Sequence, residues 1–195
     1  MKMKKWIVLL IVCVCVVNFG TGKCHAEEGK WFVSGYVAQA TKNSLNHMIR
    51  FDIDLIDYYM AYVAVGKEFF VYKDKFNLEF EFQLAEHWKH QEYEEVNAVM
   101  IFRWLKFPWD RYLDTSVAFG DGLSYAFEDS ELEDLRHEKT TKFLNYLKLE
   151  WAFNMPSYPD WVLFLQIYHR SGMFGTFDGV YGASNLIGAG IKYRF

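Results

Sequence analysis

The residues whose types and spacing could do chemistry are His169-Arg170-Ser171. On an extended strand, residues two apart point to the same side, so His169 and Ser171 share a face. A general base and a nucleophilic hydroxyl need that neighbourhood. Traced backwards, the same face carries Ile167, Leu165, Leu163 and Trp161, while the other carries Arg170, Tyr168, Gln166 and Phe164. The pair therefore belongs to an apolar face, where unpartnered polar groups are costly to keep. If that face meets lipid, an ester in the membrane can reach the pair sideways, and the chemistry is that of a lipid esterase.

The elements that must position this pair are strands. From Phe76 to Leu84, Phe76, Leu78, Phe80, Phe82 and Leu84 alternate with Asn77, Glu79, Glu81 and Gln83, a period of two with one apolar and one wet face. In a membrane barrel the apolar face meets lipid and the polar face fills the lumen. Strands are expected at 31–40, 58–68, 76–87, 94–106, 111–121, 142–154, 161–171 and 185–195, an even number that closes an all-β, eight-stranded antiparallel transmembrane barrel. Short links at 69–75, 107–110 and 155–160 alternate with longer polar ones at 41–57, 88–93, 122–141 and 172–184, the usual asymmetry between periplasmic turns and outer loops. The Pro-bearing turns then place Trp109, Tyr112, Tyr158 and Trp161 in a periplasmic aromatic girdle. A barrel of this size has an interior filled by side chains, so Glu79, Glu81, Lys148, Glu150, Lys192 and Arg194 are expected to pair inside it.

The first residues set the compartment. Met1-Lys2-Met3-Lys4-Lys5, an apolar run from Trp6 to Val17 and the ending Cys24-His25-Ala26 make a secretory leader. The run falls short of the roughly 20 residues of a spanning helix. Cleavage is expected after Ala26, giving a signal peptide at 1–26 and a barrel domain at 27–195. Cys13, Cys15 and Cys24 all lie in the leader, so the exported chain has no thiol for a disulfide. Aromatic residues make up 19% of the sequence against a formal net charge of −4. With no later apolar run of spanning length, only strand periodicity gives those aromatics a membrane role.

His169-Arg170-Ser171 on the penultimate strand, with the terminal Phe195, resembles the lipid A 3-O-deacylase (PagL) family of outer-membrane barrels. Phe119-Gly120-Asp121-Gly122-Leu123-Ser124-Tyr125 and Gly182-Ala183-Ser184-Asn185 are similar to related barrels. The resemblance implies Ser171 as nucleophile, His169 as base, lipid A or lipopolysaccharide of the outer leaflet as substrate, release of a 3-hydroxy fatty acid, and no metal or cofactor. The C-terminal strand also resembles the signal read by the outer-membrane assembly machinery. Where the family carries its acidic Glu this chain has Ala183, and where the family has Asn after the Ser it has Gly172. Asp178 and Asn185 are the candidates for the third position. Asn185 shares the outward parity of Ile187 and is expected across the hairpin from Ser171. An Asn can hold an imidazole's tautomer, and a backbone N–H at Gly172 could serve an oxyanion.

Other signals point away from chemistry. His87-Trp88-Lys89-His90 has no further ligands at metal spacing and reads as solvated loop. The run Glu128–Asp134 reads as a charged loop, and the glycines after Ser171 as bends and turns. No basic stripe suggests nucleic acid. The rival to the esterase is a non-catalytic outer-membrane barrel with an adhesive, structural or lipopolysaccharide-contacting role. A homodimer is left open by either.

Overall fold

The computed structural model describes residues 29–89, 92–128, 141–155 and 157–195. The expected leader, His90 and most of the Glu128–Asp134 run lie outside these residues. Eight strands form one closed antiparallel barrel in sequence order: β1 Trp31–Thr41, β2 Leu55–Tyr72, β3 Phe76–Lys89, β4 Tyr93–Trp104, β5 Thr115–Ala126, β6 Phe143–Met155, β7 Tyr158–Ser171 and β8 Ala183–Arg194. Closure comes from β1 against β8, with Val33 opposite Tyr193 and Ala38 opposite Gly188, so no strand edge is left open.

The binary pattern decides which way each face turns. On β3, Asn77, Glu79, Glu81 and Gln83 are buried inside, while Phe80, Phe82 and Leu84 are exposed outside. The same alternation runs round the barrel and leaves a belt of apolar side chains, Val63, Met100, Phe119 and Leu165 among them. Such a belt is unfavourable in water and suited to hydrocarbon. Trp109, Tyr112, Tyr158 and Trp161 are exposed at the end that carries Trp31 and Phe195, where Trp31 N–H donates to the Phe195 carbonyl. Trp31 and Tyr193 join them as an aromatic ring.

The interior is a fully buried ion network rather than a channel. Arg103 Nε donates to Glu79 Oε1 at 2.5 Å and its Nη2 to Glu150 Oε1 at 2.6 Å. Lys148 Nζ bridges Glu81 Oε1 at 2.9 Å and Glu150 Oε2 at 3.0 Å, and Lys192 Nζ reaches Glu79 Oε2 at 3.2 Å. Each acid thus faces a cation, as burial requires. Arg103 is the hub, and the sequence pattern alone did not single it out. Arg194 was expected in this network but pairs with Glu68 at 3.3 Å near the terminal end. Towards the other end, Tyr168 OH donates to Glu95 Oε1, and His87 Nε2 lies 3.5 Å from Glu95 Oε2. His87 also stacks on Tyr93. It is a buried lumen residue, not the solvated loop residue expected, because β3 continues to Lys89, five residues past the apolar alternation that ends at Leu84.

Strand β5 differs most from expectation, 115–126 against 111–121. Gly120 and Gly122 look like a strand end but are spacers inside the barrel. A Cβ at Gly122 would fall 2.1 Å from the Ala98 carbonyl oxygen, and one at Gly120 would fall 2.8 Å from Val99 Cγ2. The inner link before β5 is correspondingly long, folded by Phe107 N–H donating to Asp110 Oδ2. The outer link 90–92 is short. β2 extends to Tyr72 and turns at Lys73 and Asp74, both at positive φ. The first outer loop, 42–54, holds a short helix α1, Leu45–Ile49, that no sequence periodicity announced.

Candidate active site on the outer wall

His169 and Ser171 lie at the outer end of β7 with their side chains on the external wall. Tyr168 and Arg170, which alternate with them, turn inward and are buried, and Arg170 is held there by Ser124 Oγ and the carbonyls of Thr141 and Lys142. That anchoring fixes the outward parity of the pair. Together with Asn185 they line one groove of about 1030 Å³, walled by Phe119, Leu147, Met173 and Phe174 and by Leu45 and Ile49 of α1.

Asn185 sits opposite His169, while Ala183 sits opposite Ser171. This is two residues from the pairing expected, a shift that keeps the face, and it changes what Asn185 does. Asn185 Nδ2 donates to the Asn43 carbonyl at 3.0 Å. A carbonyl only accepts, so the amide orientation is set and Oδ1 turns to His169 Nδ1 at 2.6 Å. His169 therefore carries its proton on Nδ1 and presents Nε2 as an unprotonated acceptor, the tautomer a general base needs. The Asn43 contact also draws the first loop over the end of β8, which explains why Asn185 is only 1% exposed on an outward face.

Among the described residues no hydrogen bond joins His169 to the Ser171 hydroxyl. Asp178 lies in the loop 172–182 with φ 47°, outside the groove lining, and the Nδ1 that it could have held is taken by Asn185. Gly172 cannot offer its backbone N–H to an oxyanion, because that N–H donates to the Gly182 carbonyl at 3.1 Å. A side chain there is also excluded, since a Cβ would fall 2.0 Å from the Val180 carbonyl oxygen.

Two site residues escaped the sequence reading. Asp121 on β5 and Asn145 on β6 line the same groove, with Asn145 Nδ2 donating to Asp121 Oδ1 at 2.8 Å and to the Gly122 carbonyl at 3.0 Å. Their signal was parity. Phe119, Asp121 and Leu123 alternate on one face, as do Phe143, Asn145 and Leu147, but ending β5 at 121 hid it. In the register, Asn145 sits opposite Ser171.

A closed barrel with a packed polar interior, an external apolar belt and an aromatic ring defines a small eight-stranded barrel of the outer-membrane type. Comparison with solved structures gives the same class. The outer-membrane enzyme PagL superposes with a TM-score of 0.56 at 8% identity, over 83% of this chain and 98% of that one. Neisserial surface protein A (NspA) superposes with a TM-score of 0.50 at 12% identity, over 85% of this chain and 97% of that one. At these identities the likeness is one of fold. No protein-family model matches the sequence, and no curated protein sequence does either.

Proposed function

We propose that this barrel sits in a bacterial outer membrane and hydrolyses an ester-linked acyl chain of a lipid, with lipid A of lipopolysaccharide as the substrate. The observation that carries the reading is the Asn43–Asn185–His169 chain of hydrogen bonds, which leaves His169 Nε2 free on the same face as Ser171. A polar relay of this kind on a lipid-facing wall is costly unless it has work to do. Ser171 Oγ attacks the ester carbonyl as His169 Nε2 takes its proton. The proton then passes to the departing alcohol oxygen, and water repeats the sequence on the acyl-enzyme to release the fatty acid. Asn185 holds the imidazole throughout, although as a neutral amide it stabilises the imidazolium less than a carboxylate does. Lys42 lines the groove at its rim and offers a cation to a phosphate-bearing headgroup.

The similarity of fold to PagL is compatible with this reading, and that to NspA with the non-catalytic alternative. The open Ser171–His169 pair favours that alternative, in which the groove binds lipid without cleaving it. Mass spectra of lipid A from cells making the wild-type barrel or Ser171→Ala decide between them. The wild type should remove one acyl group that the variant retains. Identical spectra, with both proteins folded in the outer membrane, would refute the esterase.

A further inference from the structure

Asp121 is a carboxylate on the lipid-facing wall. It is exposed, and its neighbours on the same face of β5, Phe119 and Leu123, are 48% and 44% exposed apolar residues of the belt. A charged group in that position is destabilising unless something answers it. The protein answers it once, through Asn145 Nδ2 on Oδ1. Among the described residues the other carboxylate oxygen has no donor. Asn145 has both amide hydrogens committed, to Asp121 and to the Gly122 carbonyl, and among the described residues its Oδ1 has no donor either. The pair occupies a defined place. Asn145 lies directly across from Ser171, and Asp121 lies in the same cross-strand row as Leu147, His169 and Asn185. Two acceptors without donors therefore border the groove on the β5–β6 side, beside the proposed nucleophile.

We infer that Asp121, oriented by Asn145, is a specificity-determining residue that accepts a hydrogen bond from an O–H or N–H donor of the bound lipid, close to its ester. The inference rests on the groove being a lipid-ester site. The donor completes the hydrogen bonding of the carboxylate, and in the low dielectric of the wall such a charge-assisted bond is strong. A plain acyl ester fills the same apolar groove but leaves Asp121 facing hydrocarbon. The groove should therefore discriminate between lipids by a group that takes no part in the reaction, with Leu147 as the apolar residue between acceptor and base.

The test is binding in detergent micelles by calorimetry, with three matched probes and the Ser171→Ala barrel. The probes are a plain tetradecanoyl ester of a neutral alcohol, the same ester with a hydroxyl on its acyl chain, and the same ester with an amide N–H on its alcohol side. At least one donor-bearing probe should bind about 10-fold more tightly than the plain one. Which one does so identifies the side of the ester that carries the donor. Adding Asp121→Leu should erase that preference, so that all three probes bind alike, and an apolar residue on this wall is compatible with folding. Equal binding of all three probes, or a preference that survives Asp121→Leu, overturns the inference. Hydrolysis by the protein with Ser171 intact is read separately. A donor preference without hydrolysis supports the inference and refutes only the esterase, whereas hydrolysis without a donor preference refutes only the inference.

Discussion

Asn185→Ala removes two hydrogen bonds at once, and under the proposed mechanism they should be felt in different kinetic constants. The bond from His169 Nδ1 at 2.6 Å joins two neutral groups in the resting site, where it contributes about 1 kcal/mol. In the proposed reaction Ser171 gives up its proton and the imidazole becomes a cation, so the same bond becomes charge-assisted, contributing roughly 3 kcal/mol. Only the difference of about 2 kcal/mol lowers the barrier, which corresponds to a fall in kcat of roughly 30-fold. The bond from Asn185 Nδ2 to the Asn43 carbonyl at 3.0 Å anchors the first loop, whose Leu45 and Ile49 line the groove. Its loss is uniform across ground and transition states, so it belongs in KM, with a change of about fivefold. The assay is release of fatty acid from purified lipopolysaccharide in detergent, with Asn185→Asp in parallel. The carboxylate should hold the imidazolium better and recover kcat, while its second oxygen opposes the Asn43 carbonyl and raises KM. An Asn185→Ala protein that is folded and keeps kcat within twofold of wild type would refute the role of Asn185 as the orienting residue.

The ion network predicts two further outcomes. Arg103→Met leaves Glu79 and Glu150 short of their shared guanidinium inside the lumen, so unfolding in detergent with urea should show a loss of about 3–5 kcal/mol. In planar bilayers the purified barrel should show no stepwise conductance, because Arg103, Lys148 and Lys192 cross the lumen to Glu79, Glu81 and Glu150. Open-channel steps in the wild-type protein would contradict the packed interior.

What the sequence determined by itself was periodic and local. Alternation from Phe76 to Leu84 is enough to orient a strand, since a pleated chain sends successive side chains to opposite faces. The same rule put His169 and Ser171 together on the outside and Glu79, Glu81, Lys148 and Glu150 within. Where the pattern was interrupted, the rule failed. Gly120 and Gly122 read as a strand end because their function is steric, set by Ala98 and Val99 on the neighbouring strand, and with the strand cut short Asp121 was passed over.

What only the tertiary structure decided was register and closure. Sliding β8 against β7 by two residues changes whether Asn185 meets His169 or Ser171 without changing its face, and no periodicity within a strand encodes that offset. The position of Asn43 over Asn185 depends on a loop more than a hundred residues away in the chain, yet it sets the amide orientation and through it the proton on His169. Asp121, Asn145 and Ser171 come from three strands and become one wall of a groove only when the barrel closes. Strand parity is a property of each segment and can be read from it, whereas a site is made by the neighbours that hydrogen bonding between strands brings into line.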